Sequence, residues 1–185
     1  VTISEKDMNA MTAQLGRQPR GAIEVSYHCP DGAPGVVKTA PKLPDGTPFP
    51  TLYYLTDPRL TAEASRLEVA GVMRDMSTRL AEDEELRADY TRAHEHYLSE
   101  RNAIEDLGTD FSGGGMPERV KCMHVLIAYA LAEGVGHFRL GDESVALAAE
   151  GTNLRGTAIP ENWPTCADLG IDREAMSLGN RGTDK

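Results

Sequence analysis

The chain is short of the residues that usually announce a function. It has three cysteines in 185 residues, Cys29, Cys122 and Cys166. An odd, widely spaced set makes no disulfide framework and fits a reducing compartment. No CxxC, HExxH, GxGxxG, Walker A or GxSxG pattern occurs, so the common motif routes to a function are closed. Basic residues are scarce: 19 Lys and Arg stand against 29 Asp and Glu, a net charge of −10. That balance argues against non-specific nucleic acid binding, because phosphate backbones attract basic surfaces. No apolar run reaches the ~20 residues of a membrane span. The stretch VTISEKDMNAM lacks the basic start and apolar centre of a secretory signal, and the expected location is the cytoplasm.

What is present is patterning. Residues 4–15 carry Met8, Met11 and Leu15 at helical spacing, with Gly16 as a stop. AIEVSYH (22–28) alternates apolar and polar residues as a half-buried strand does. Val36 to Ala40 and TLYYL (51–55) are two further strands, and the Pro- and Gly-rich connections are too short for helical crossovers. An antiparallel three-stranded meander is expected. After Asp57-Pro58, an N-cap followed by proline at the first helical position, the pattern turns helical. One helix runs to about Leu80 with a bend at Gly71. A second spans about 84–107, with Leu86, Tyr90, Ala93, Tyr97 and Ile104 on its apolar face. A third runs from Pro117 to Glu133 and is apolar nearly all round, as a buried helix is. The expected fold is α+β: a small antiparallel three-stranded sheet followed by a helical layer of three to four helices. Residues 1–150 form one domain, and 151–185 form an irregular strap around Trp163 with a polar tail, SLGNRGTDK, expected to be mobile.

FSGGGMPERVKCMHVLIAYALAEG (111–134) raises the sharpest functional question. Gly113, Gly114 and Gly115 precede the expected helix start at Pro117, where Met116 offers no side-chain acceptor to the first N–H groups. Glycines let a ligand approach the backbone, and the helix dipole favours an anion there. Arg119 and Lys121, with Arg17, Arg20 and Arg59 from elsewhere, supply candidate charge for a phosphate or carboxylate. Cys122 and His124 lie two apart, which on a regular helix points them about 200° apart. On that geometry they cannot share a metal, and His124 reads as a packed core histidine. His94 and His96 fail the same test and read as solvated or half-buried.

The stretches LGRQPRG, TAPKLPDGTPFPTLYYLTDPRL and GGGMPERVKCMHVLIAYALA resemble the actinobacterial domain-of-unknown-function family five hundred and one, over roughly residues 15–150. The family's activity is not established. Its members are often encoded near a septum-formation initiator, an enolase and an exopolyphosphatase, an association without chemistry. The resemblance implies cysteines where this chain has Asp31 and Asp57, beside Cys29 and Cys122. Such a four-residue set suits zinc or an iron–sulfur cluster, and this chain departs from it at two positions.

Three functional expectations result. The first is a small anionic, even phosphorylated, ligand at the glycine-led helix start. The second is a Zn or Fe site on Cys29, Asp31, Asp57 and Cys122. The third is an interaction module presenting the acidic LAEDEELRADY face to a protein partner. No residue demands a catalytic role.

Overall fold

Side-chain caps set the starts of three of the six helices in the computed structural model, which describes residues 2–173. Helix α1 (Glu5–Leu15) opens on Ser4, whose side chain accepts from the Asp7 N–H. Strands β1 (Ala22–His28), β2 (Pro34–Thr39) and β3 (Tyr53–Leu55) form one antiparallel sheet in the order β1-β2-β3. Val37 pairs with Val25 on one side and Tyr54 on the other. Asp57 then caps α2 (Pro58–Val69) through the Arg59 N–H, with Pro58 in the first turn. Gly71, at φ 87°, separates α2 from α3 (Val72–Glu82), so the expected bend is a break. Asp83 caps α4 (Glu84–Ile104) through the Leu86 N–H.

The fold is α+β as expected, with two changes in the helical layer. Among the described residues five helices follow the sheet, where three or four were expected. Besides the break at Gly71, the chain builds α5 (Met123–Glu133) and an unforeseen α6 (Arg139–Ala149). Helix α6 hides because its sequence carries Asp142, Glu143 and Ser144, yet every residue from Leu140 to Ala149 is buried. A buried charge needs partners. Glu143 receives Arg79 at 2.6 and 3.0 Å and Arg139 Nε at 2.7 Å. Asp142 accepts the Gly136 N–H at 3.0 and 3.1 Å. At Gly141 an added Cβ would lie 2.5 Å from the Phe138 ring and 2.9 Å from Ala130 Cβ, so only glycine fits where α6 meets α5.

Helix α5 packs on β3, α2 and α6, which is why it is apolar nearly all round. The strap docks on the same core: Trp163 is buried and its indole N–H donates to Asp142 O at 3.0 Å. On α4, Ile104 is 41% exposed, contrary to its place in the apolar stripe. The buried residue in that last turn is Arg101, which donates to the carbonyls of Phe111 (2.5 Å) and Thr109 (3.2 Å) and so ties down the loop before the glycines. His94 is also buried, with Nδ1 2.7 Å from Ser112 Oγ. The tail SLGNRGTDK lies outside the described residues.

The glycine run makes a turn that folds back on itself. The Met116–Pro117 bond is cis, and Gly114 and Gly115 have φ of 62° and 86°. Returning N–H groups reach the glycine carbonyls: Lys121 to Gly114 at 2.6 Å and Arg119 to Gly115 at 3.0 Å. A Cβ on Gly115 would lie 2.7 Å from Arg119 O, a backbone atom. Gly46 has a similar φ of 85° with open space around it. Gly46→Ala should therefore cost only the left-handed backbone penalty, about 1–2 kcal/mol. Gly115→Ala should cost clearly more, because the returning strand must also shift. Urea unfolding of both variants checks this, and equal losses would refute the close-return account.

Candidate functional site

The turn delivers residues 119–122 across α3 toward the end of α2. Ser77 on α3 holds the passing chain, accepting the Val120 N–H at 3.0 Å. Cys122 remains extended, φ −151° and ψ 115°, as the N-cap of α5, and makes no side-chain cap bond. The carboxylate of Glu68, in the last turn of α2, takes that role. Its Oε1 accepts the Met123 N–H at 2.9 Å and lies 2.9 Å from His124 Nδ1. His124 Nε2 is 3.5 Å from Ser65 Oγ.

These positions correct three sequence expectations. The third predicted helix starts at Met123, not Pro117, because the glycine turn consumes the intervening residues. The N–H groups expected to face an anion are already taken: Glu118 and Arg119 by Gly115 O, Val120 by Ser77, Lys121 by Gly114 O and Met123 by Glu68. A negative group does sit at the helix start, and it is the chain's own Glu68. Finally, Cys122 precedes the helix, so the 200° argument against Cys122 and His124 does not apply. One ligand atom from each of Glu68, Cys122 and His124 lies within 4.8 Å of the others. His124 is half-buried rather than a core residue. Hydrogen bonding to the Cys122 side chain, and after it the Glu68 carboxylate, raises the His124 pKa to about 9 against the opposing effect of burial.

Cys122 and His124 open onto a cleft of about 380 Å³ that Tyr53, Tyr54, Thr56 and Thr61 also line. Gln14 borders it as well; its amide N–H donates to Pro34 O at 2.8 Å, while its buried Oε1 has no partner among the protein atoms.

The remaining expected site residues are distributed elsewhere. Cys29, Asp31, Asp57 and Cys122 do not form a compact donor group among the described residues. Asp31 and Asp57 instead hold Arg59, whose Nη1 and Nη2 lie 2.7 Å from Asp31 Oδ2 and Asp57 Oδ2. The Cys29 thiol donates to Asp57 Oδ2 at 3.5 Å, and burial, with Asp57 next in effect, pushes that thiol up to about 12. Arg59 thus faces carboxylates and not the glycines. Arg17 and Arg20 line a separate cleft of about 110 Å³ with Leu43, Phe49 and Tyr54. Arg119 and Lys121 are exposed on the returning arm of the turn. Sequence reasoning missed Glu68, whose signal was only its place at the end of a helical stripe.

The Asp57 side chain is 2% exposed and Asp31 is 37% exposed. Arg59→Ala should therefore destabilise by about 3 kcal/mol, since it leaves a buried carboxylate without its cation. Asp31→Ala should cost less than about 1 kcal/mol, as partly exposed pairs do. Denaturant midpoints of the two variants measure the difference.

No curated protein and no solved structure matches the chain. A family described as "Protein of unknown function (DUF501)" matches residues 25–145. That stretch runs from β1 into α6 and includes Glu68, Cys122, His124 and Arg59. It covers more than half of the chain, which therefore belongs to the DUF501 family.

Proposed function

We propose that the chain is a divalent-metal-binding domain in which Glu68, Cys122 and His124 hold a zinc-class ion beside the cleft. The observation that carries this reading is the convergence of a carboxylate, a thiol and an imidazole within 4.8 Å of one another. Sulfur, nitrogen and oxygen in one set suit zinc better than magnesium or calcium. Three protein ligands leave a coordination position for a molecule from the cleft, the arrangement of reactive rather than structural zinc sites. An ion there supplies Lewis acidity to a bound water or carbonyl. The residues' own part is to fix the ligand geometry: Glu68 is held by the Met123 N–H, and Ser65 Oγ stands beside the other ring nitrogen, His124 Nε2.

The small anionic ligand expected from the sequence belongs, on this reading, at the open position and not at the glycines. Tyr53, Tyr54, Leu55 and Val125 give the cleft apolar surface, which favours a ligand that pairs its anionic group with an apolar body. The acidic LAEDEELRADY face contributes nothing to this site.

Cobalt(II) titration of the chelator-treated full-length chain should produce a near-ultraviolet thiolate-to-cobalt charge-transfer band. Cys122→Ser should abolish the band and Glu68→Gln should weaken binding. A band retained in Cys122→Ser would overturn the reading. His124 keeps its proton up to about 9, so binding must displace that proton. The Cys122 sulfur must bind without a proton as well, so zinc affinity should rise with pH by at least about tenfold per unit between pH 6.5 and 8.5, and a flat profile would overturn the thiol–imidazole site.

A further inference from the structure

We infer that His96, Glu133 and His137, with Glu100 beside them, form a second and independent divalent-cation site where α4 meets the end of α5. The sequence signal is a mirrored pair of four-residue spacings, His96 to Glu100 on α4 and Glu133 to His137 across the α5–α6 connection. His96 had been set aside because His94 cannot face the same way. Its true neighbours come from another element. One ligand atom each from His96, Glu133 and His137 lies within 4.8 Å of the others. Glu100 Oε2 is 3.8 Å from His96 Nδ1.

Two further features point to an ion. The first is uncompensated negative charge. Tyr53 Oη lies 2.7 Å from Glu100 Oε2 and 3.0 Å from Glu133 Oε1. A phenol carries one proton, so it can donate to only one of the two carboxylates at a time. Among the described residues no lysine or arginine forms an ion pair with either glutamate, and the only nitrogen base in pairing range is the His96 imidazole. The second is the setting of the imidazoles. Tyr129 Oη gives its proton to Ala93 O at 2.8 Å and lies 3.1 Å from His96 Nδ1 and 2.9 Å from His137 Nε2. Tyr129 thus orients both rings, and the His96 nitrogen it holds, Nδ1, is also the one 3.8 Å from Glu100 Oε2 and 4.0 Å from Glu133 Oε1. Asp142 fixes the connection that carries His137 through the Gly136 N–H. Two imidazoles with carboxylate suit zinc(II), iron(II) or manganese(II), and no thiol is present to produce the spectrum of the Cys122 site.

Zinc and cobalt titrations of the chelator-treated full chain test this. The wild type should bind two equivalents. Glu133→Gln, which preserves shape, and His137→Ala should each bind one and keep the thiolate-to-cobalt band. Cys122→Ser should bind one and lose the band. Glu100→Gln should weaken the second equivalent by about tenfold. Thermal melts of the metal-free variants identify any that fail to fold, and Glu133→Gln then decides. Two equivalents retained in Glu133→Gln and His137→Ala overturn this inference and leave the Cys122 site standing. Loss of the band in folded Glu133→Gln overturns it as well, because the two sites would not be independent. Two equivalents retained in Cys122→Ser overturn the first site alone.

Discussion

A single carboxylate, Glu68, decides where α5 begins and what stands beside its first turn. The N-terminal N–H groups of a helix need acceptors, and Cys122 supplies none. Glu68 reaches across from α2, satisfies Met123 and holds His124 with the same oxygen. Negative charge at this end also complements the helix dipole. One interaction therefore caps a helix that packs on the sheet, joins α2 to α5, and sets an imidazole beside a thiol. The glycine turn makes this reachable. Without the fold-back of residues 119–121 onto Gly114 and Gly115, Cys122 would continue the helix and point away from His124.

Legibility in the sequence followed the range of the interactions. Elements fixed by local chemistry were readable: the helix at 4–15, the Asp57 cap with Pro58 after it, and the strand at 22–28 all correspond to what is built. The start of α5 was misread because proline at a first helical position is a local signal, and a backbone return specified by Gly115 overrode it. Helix α6 was missed because Glu143 looks solvent-facing until Arg79, from 64 positions earlier, is seen to reach it. The candidate site was half-visible. Cys122 and His124 stood out by residue type, but their separation was judged on a helix that only one of them occupies. Glu68 and the His96–His137 pairing arise from contacts between elements, which no spacing rule reports.

Tyr53 links the two clusters physically. Its ring lines the cleft that Cys122 and His124 face, while its hydroxyl lies between Glu100 and Glu133. It stacks on Tyr129, ring centroids 5.8 Å apart, and Tyr129 touches both His96 and His137. Burial raises the Tyr53 and Tyr129 hydroxyls well above the usual phenol range. Both therefore stay protonated at neutral pH and act as fixed donors rather than as charges. Burial, and then hydrogen bonding to Glu133, also raises the Glu100 carboxyl, as expected where two carboxylates meet without a cation.

The Arg59 cluster shows how a set of would-be ligands can be used otherwise. At positions 31 and 57, where the resemblance implied thiolates, this chain has carboxylates, and an arginine in the first turn of α2 lies between them. Two aspartates near a thiol need a positive charge. Arg59 supplies it without an ion, by a fork that matches carboxylate geometry. Asp57 Oδ1 meanwhile caps α2 through the Arg59 N–H at 2.8 Å, so that carboxylate serves the helix and the clamp together. The Cys29 thiol, buried beside it, stays protonated and donates. Its negative charge would add to that of Asp57, whereas Cys122 stands next to an imidazole that holds a proton. The same residue type thus meets a carboxylate at one position and an imidazole at the other, and the sign of the neighbouring charge sets the two thiols apart.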